Sequence, residues 1–387
     1  LKALSNTNIL ISAEPDNRKC LSWMHWSRSA ITHMQQDKSL KSENATQTNQ
    51  EYTRFHLSPN RFSSMEKHRI AEHLHSQQPA AVIGSPIETK PVFWPLNRIT
   101  IEAINICNYR CPLCRTNLKD WVPRGAIELE TVQNIITPLT SGLKVVNLYG
   151  TRGEPLLHPR LESIVGYVKS ASKAKIRIST NGSLVSKSRA RGLLDAGLDQ
   201  IVFAVDGLTQ RSYSAYRRGG NLDRVVENLR RFCELKVKGG YSTRVIFQFI
   251  PMAKNEHEVP QVAAFAYALG VDVVKLKYST SAANSESYRV RDAAYRPDLG
   301  SNKEFVCPQG MDNIYIDPNG YCYPCCYMEG YPNLFFGNAK TESIVSIWND
   351  PKIWELRRSF AEQLEFNPFC RTNCYGVARF RKEILKK

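Results

Sequence analysis

The chain has 387 residues, 42% of them hydrophobic and 23% charged. That balance excludes a wholly disordered or collagen-like protein, and the length implies more than one core. Lys and Arg outnumber Asp and Glu by 52 to 36, giving a net charge of +16. A charge of that size allows an acidic or nucleic-acid partner. No basic run is interleaved with aromatics, so a solvated basic surface is the expectation and nucleic-acid binding is not. No apolar stretch reaches the length of a membrane span. The run NILIS is too short for the core of a signal peptide. A cytoplasmic chain with no membrane partner is therefore expected. In a reducing compartment, 11 Cys point to metal ligation rather than disulfides.

Residues 1–95 are rich in Ser, Asn, Gln and His and show little periodicity. They read as a polar, largely disordered extension. From residue 96 the pattern changes to alternating strands and helices. Arg98–Ile106 reads as a strand, Leu129–Leu139 as a helix and Leu143–Tyr149 as a strand. A helix over Arg160–Ser170 precedes a strand at Lys175–Thr180. A helix near Ser186–Ala196 leads to a strand at Gln200–Val205. A helix at Leu222–Lys236, a strand at Arg244–Ile250 and a helix at Val259–Leu269 follow. Val271–Tyr278 closes the series. Six β-α units in a row imply an α/β fold with a parallel sheet and right-handed crossovers. Eight units would close a barrel, so a partial (β/α)6 TIM-like barrel over 96–280 is expected. Residues 281–306 read as a polar linker. A cysteine-rich unit occupies 307–387.

The first chemical motif is CNYRCPLC, with Cys107, Cys111 and Cys114 spaced C-x3-C-x2-C. Three thiolates can hold three corners of a four-iron, four-sulfur cube and leave the fourth iron open. Zinc ligation and buried free thiols are the alternatives, although no His follows until His158. Further motifs fall at consecutive strand ends: Gly150-Thr151-Arg152-Gly153-Glu154-Pro155, Ser179-Thr180-Asn181-Gly182 and Asp206-Gly207. Each alone is an ordinary turn signal. Their shared placement at the C-terminal mouth, where such folds put their chemistry, raises all three.

CNYRCPLC, GTRGEPLLHP, STNG and AVDG, in this order, resemble the radical S-adenosylmethionine (SAM) superfamily. The tail CPQGMDNIYIDPNGYCYPCCYMEG with its terminal CRTNC resembles the auxiliary-cluster extension called SPASM, or its shorter twitch form. The resemblance implies that Cys107, Cys111 and Cys114 hold a [4Fe-4S] cluster whose open iron is chelated by SAM. It implies that Leu113 lies against adenine. Gly153, Glu154 and Pro155 belong to the motif around the SAM amino group, and Ser179 and Asn181 lie near its ribose and methionine moieties. Asp206 closes the fourth-strand motif, in which Ala204 replaces a frequent Ser. Arg217, in YRRGG, matches an Arg expected near the SAM carboxylate. One auxiliary [4Fe-4S] cluster on Cys307, Cys325, Cys370 and Cys374 is expected, because only Cys322 and Cys326 then remain in this region. Cys326 stands where some relatives carry an acidic proton acceptor, which makes it a candidate catalytic thiol. The implied activity is a radical SAM oxidoreductase. Its implied partners are a flavodoxin- or ferredoxin-type electron donor and a peptide or small-molecule substrate. A peptide or protein side chain is the leading substrate class. A small polyol or aminosugar, or an RNA, is the alternative.

Overall fold

A computed structural model of the protein describes residues 9–12, 96–117, 122–277, 279, 285–295, 310–331 and 334–361. Cys307, Cys370 and Cys374 lie outside them, as does the extension apart from residues 9–12. Among the described residues the strands are β1 (Ile9–Ser12), β2 (Arg98–Ile101), β3 (Val145–Leu148), β4 (Lys175–Thr180), β5 (Gln200–Ala204), β6 (Arg244–Phe249), β7 (Val273–Leu276), β8 (Asn313–Ile316), β9 (Tyr321–Tyr323) and β10 (Gly337–Asn338). The helices are α1 (Leu129–Ile136), α2 (Leu161–Ala171), α3 (Lys187–Asp195), α4 (Gln210–Tyr216), α5 (Leu222–Lys238), α6 (Val259–Tyr267), α7 (Ile344–Trp348) and α8 (Pro351–Ala361).

The strands form one sheet in the order β1-β7-β6-β5-β4-β3-β2-β8-β9-β10. β2 to β7 are parallel neighbours in chain order. This is the expected six-stranded α/β array, open rather than closed. Both edges carry additions that the sequence pattern did not announce. β1 pairs antiparallel with β7, Ile9 opposite Leu276. β8 pairs parallel with β2, Arg98 opposite Asn313, and an Arg98–Asp312 ion pair of 2.9 Å reinforces the junction. The cysteine-rich unit therefore continues the sheet of the first unit. Pairing covers edges that would otherwise expose unpaired backbone groups.

The helices cover one face of the sheet. α5 shows why: Leu222, Val225, Val226, Leu229, Phe232 and Cys233 recur at helical spacing and are buried. Asn221 caps its first turn by accepting from the Arg224 N–H, and Lys236 and Lys238 sit in its last turn, where the helix dipole favours cations. On β4, Ile176, Ile178 and Thr180 are buried on the helix side, and Arg177 and Ser179 alternate with them on the other face. On β5, β6 and β7, Val202, Ile246 and Val273 lie in register and form a separate small cluster on that second face. The second face is the concave interior of the partial barrel. No helix of the described residues is long and apolar enough to cross a membrane.

Candidate active site

The three cysteines follow β2 at the C-terminal mouth of the sheet. Cys111 is buried, and Cys107 and Cys114 are half-buried. Burial, with Glu154 and the other two thiols nearby, pushes the Cys107 thiol up to about 11. Burial likewise raises Cys111, although the Arg217 cation opposes it. Metal binding to such a set must release protons. Donors already face the sulfurs. The Tyr109 N–H points to Cys107 Sγ at 3.4 Å, Asn181 Nδ2 lies 4.0 Å from the same atom, and Arg217 Nη1 lies 4.0 Å from Cys111 Sγ. Hydrogen bonds to cluster sulfurs are one way proteins tune an iron–sulfur site. Three thiols beside such donors are the ligand chemistry that an iron–sulfur cluster takes. Among the described residues, no three of His, Cys, Asp or Glu are placed to share a single metal ion. His158 uses both ring nitrogens elsewhere: Nε2 pairs with the Ile127 carbonyl at 2.9 Å, and Nδ1 accepts from the Arg160 N–H at 3.1 Å.

The strand-end motifs converge on this mouth. The buried Glu154 carboxylate accepts from Thr180 Oγ1 (2.6 Å), the Asn181 N–H (2.7 Å) and the Leu156 N–H (3.2 Å). A carboxylate has about four acceptor positions, so half of its capacity fastens the β3 loop to the end of β4. Its own N–H donates to the Ile106 carbonyl at 2.9 Å, which ties the same loop to the cysteine run. Pro155 opens the short helical turn that follows. Gly153 admits no side chain, because a Cβ there would lie 1.5 Å from the Ile104 carbonyl oxygen. Asn181 Nδ2 donates to Asn108 Oδ1 at 3.0 Å, and Asn108 donates to Ser183 at 2.9 Å. Ser179 is half-buried on the concave face, and Leu113 is half-buried against the core. Asp206 is fully buried. One oxygen accepts from the Ile250 N–H at 2.8 Å, and the other meets Arg217 at 2.6 Å. Burial alone would lower Arg217, but Asp206 beside it holds its pKa well above the ordinary value. Asp206 therefore aims Arg217 across the mouth toward Cys111.

Comparison with known proteins decides the family. Residues 101–266 match the radical SAM superfamily, and residues 307–375 match the SPASM iron-sulfur cluster-binding domain. The chain belongs to the radical SAM superfamily and carries a SPASM domain. Membership brings with it a [4Fe-4S] cluster, SAM and auxiliary iron–sulfur binding. Among curated proteins it is 28% identical over 196 residues to the GTP 3',8-cyclase of Synechococcus sp. (strain CC9902), covering 48% of this chain and 56% of that one. The probable GTP 3',8-cyclase of Methanococcus maripaludis is 25% identical over 301 residues, 68% of this chain and 93% of that one. The chain thus spans little more than half the length of the first of these relatives. Among solved structures, Streptococcus suis SuiB bound to precursor peptide SuiA aligns with a TM-score of 0.56 at 17% identity, over 73% of this chain and 70% of that one. Native anSMEcpe with bound AdoMet and a Cp18Cys peptide aligns with a TM-score of 0.51 at 14% identity, over 76% and 96%. At these identities the likeness establishes the shared fold.

The described part of the SPASM segment of this radical SAM chain continues the sheet beside β2 and carries three thiols. Its thiols differ sharply. Cys322 is fully buried in the core, 3.5 Å from the Gly320 carbonyl, and burial raises its pKa far above the usual thiol range. Cys325 and Cys326 are half-buried in the following turn. Burial pushes Cys326 up to about 11, and its charged neighbours are Arg115, Glu329 and Lys277. The same thiol perturbs Tyr149 at the end of β3, so it lies over the concave interior.

Arg152 stands where the family motif frequently has Gly. It is buried, and its Nε lies 2.9 Å from Oε1 of the fully buried Glu329, an ion pair whose N–H is not aligned for a hydrogen bond. Thr151 Oγ1 donates to the other Glu329 oxygen. Glu102 at the end of β2 accepts from the Arg152 and Gly153 N–H groups at 2.7 and 3.0 Å and from the Tyr315 hydroxyl at 2.7 Å. Burial and then Glu329 push Glu102 up to about 8. The cysteine run joins in, since Arg115 donates to the Glu329 carbonyl at 2.8 Å. One buried network therefore binds the cysteine run and the β3 loop to the turn that carries Cys325 and Cys326. Sequence reading missed Glu102, Arg115, Glu329, Lys275 and Lys277. For the two lysines a signal was present: the segment VVKLK places charge at alternate positions, where a fully buried parallel strand is apolar.

Proposed function

We propose that the protein is a radical SAM oxidoreductase that takes a hydrogen atom from a peptide or protein side chain, leading to oxidation, cross-linking or epimerisation. The observation that carries the reading is the convergence of Cys107, Cys111, Cys114, Asn181 and Arg217 at one mouth of the sheet, facing a second pair of thiols across its concave interior. When bound, the cluster and SAM supply the reducing electron and the 5′-deoxyadenosyl radical. The chain's residues bind and orient. Gly153 lets the β3 loop approach its ligand closely, Glu154 fixes that loop, and Arg217, aimed by Asp206, offers a cation to the SAM carboxylate. Asn181 and Ser179 line the same mouth. Half-buried Leu113 offers an apolar wall for adenine. Cys325, with Cys307, Cys370 and Cys374, is proposed to hold one auxiliary [4Fe-4S] cluster that accepts an electron from the substrate or orders it. Cys326, whose thiol burial holds protonated at neutral pH, is proposed to donate a hydrogen atom to a substrate radical. A flavodoxin- or ferredoxin-type protein would supply electrons. The shared fold of SuiB and anSMEcpe, both recorded with a peptide, supports a chamber of sufficient size. A small-molecule substrate is the competing reading, and the names of the curated relatives favour it.

Cys325→Ala tests the division of labour. SAM cleavage is expected to persist, with turnover of substrate reduced to background, as read by mass shift. Full turnover in this variant would refute the auxiliary role. A substrate loss of two mass units indicates oxidation or cross-linking. Deuterium uptake from solvent without loss indicates epimerisation and points to Cys326.

A further inference from the structure

We propose that Arg177, Lys275 and Lys277 form an oxyanion subsite on the concave face, which binds a carboxylate or phosphate group of the substrate. The inference rests on reading this face as the substrate chamber. Lys275 alternates on β7 with Val274, which packs toward the helices, and Lys277 continues the same alternation beyond the strand end. Arg177 occupies the matching face of β4. The three belong together electrostatically: Lys277 and Arg177 are the charged neighbours that act on Lys275. Lys277 in turn is influenced by Cys326, Asp206 and Arg217, which places it between the two groups of cysteines.

None of the three side chains makes a hydrogen bond or ion pair with the described residues. Other half-buried cations do find partners: Lys236, Arg98 and Arg189 pair with carboxylates at 2.5 to 3.0 Å. The carboxylate that influences Lys277 is Asp206, and its two oxygens already serve Arg217 and the Ile250 N–H. Deeper on the same face Asn147 Nδ2 donates to Thr100 Oγ1 at 3.1 Å and Thr100 to Asn313 at 3.2 Å, while the buried Asn147 Oδ1 has no partner among the described residues. Burial nevertheless pushes the Lys275 ammonium down to about 8. Lys275 and Arg177 are half-buried on the concave face, and Lys277, beyond the strand end, is exposed to solvent. Holding unpaired cations there is unfavourable, and low-dielectric walls focus their field on an incoming anion. An oxyanion seated on them would leave the rest of the substrate between Arg217 and Cys326.

The test uses the full-length, anaerobically reconstituted protein with SAM saturating, so that the SAM carboxylate does not compete. Calorimetric titrations with tripolyphosphate and with glutarate compare the wild type with Lys275→Gln/Lys277→Gln. A surface pair, Lys238→Gln/Lys254→Gln, controls for net charge, and Arg177→Gln serves if the lysine pair does not fold. The inner variant is expected to raise Kd by at least about tenfold, as for losing half of a charge pair, and the surface pair to leave it unchanged. A stronger response to tripolyphosphate assigns a phosphate group, and a stronger response to glutarate a carboxylate. Equal affinity in the wild type and inner variant, or binding of neither probe, overturns the proposal. So does a shift in cluster potential without loss of affinity, which would assign the cations to the clusters. SAM cleavage in the same samples reports separately on the radical reading, and its failure would leave the titration interpretable.

Discussion

A Cys111→Ala protein is expected to release 5′-deoxyadenosine from SAM no faster than a protein-free control. Cys111 is the most buried of the three mouth thiols, and its sulfur is the one that Arg217 approaches. A cube with an open iron needs three protein thiolates. Removing this one leaves two, and among the described residues His158 is engaged at both ring nitrogens. Cys322→Ala is the informative control. Cys322 is a core thiol on β9, so its loss is expected to cost about 1 kcal/mol of stability and to leave SAM cleavage intact. Chromatographic measurement of 5′-deoxyadenosine checks both. Equal losses in the two variants would mean that the assignment of thiols to site and core is wrong.

Glu329→Ala is expected to destabilise the fold by roughly 3–5 kcal/mol, because it removes one member of a buried ion pair and leaves the other behind. Arg152 and Glu329 have side-chain exposures of 5% and 0%, so water cannot easily replace the lost partner. Glu329 also accepts from Thr151 and sits beside Glu102, so its removal disturbs the hinge between the β3 loop and the Cys325–Cys326 turn. Arg152→Ala is expected to be comparably costly. Arg152→Met combined with Glu329→Leu is expected to recover much of the loss, since paired apolar replacements of buried ion pairs are often neutral or better. Thermal melting of the wild type, the two single Ala variants and Arg152→Ala/Glu329→Ala forms a double-mutant cycle. Additive losses would show that the two side chains do not depend on each other.

The frame of the fold was legible in the sequence because its signals are local. Strands such as QIVFAV and KIRIST, broken by amphipathic helices, gave the six parallel strands nearly in place, and the strand-end motifs lie at the mouth where the order of units put them. The sheet edges were not legible. The pairing of β1 with β7 and of β8 with β2 joins segments far apart in the chain, and nothing in ILIS or NIYI alone names its partner. The same limit hid the role of Arg152. As a departure from the family motif it looked incidental, and only the fold brings Glu329 against it. The fold sets Arg217 4.0 Å from the Cys111 sulfur, and its dependence on Asp206 is visible only in the hydrogen-bond geometry. The concave-face lysines were readable in principle, as charges alternating within an apolar strand.

The central claim is that the thiols at 107, 111 and 114 support radical initiation on SAM. Anaerobic reconstitution of the wild-type chain with iron and sulfide, followed by reduction in the presence of SAM, tests it most directly. The account predicts about eight iron atoms per chain, as two four-iron clusters require, and release of 5′-deoxyadenosine with methionine in equal amounts. A chain that takes up zinc in place of iron, or that binds iron and leaves SAM uncleaved, would contradict it.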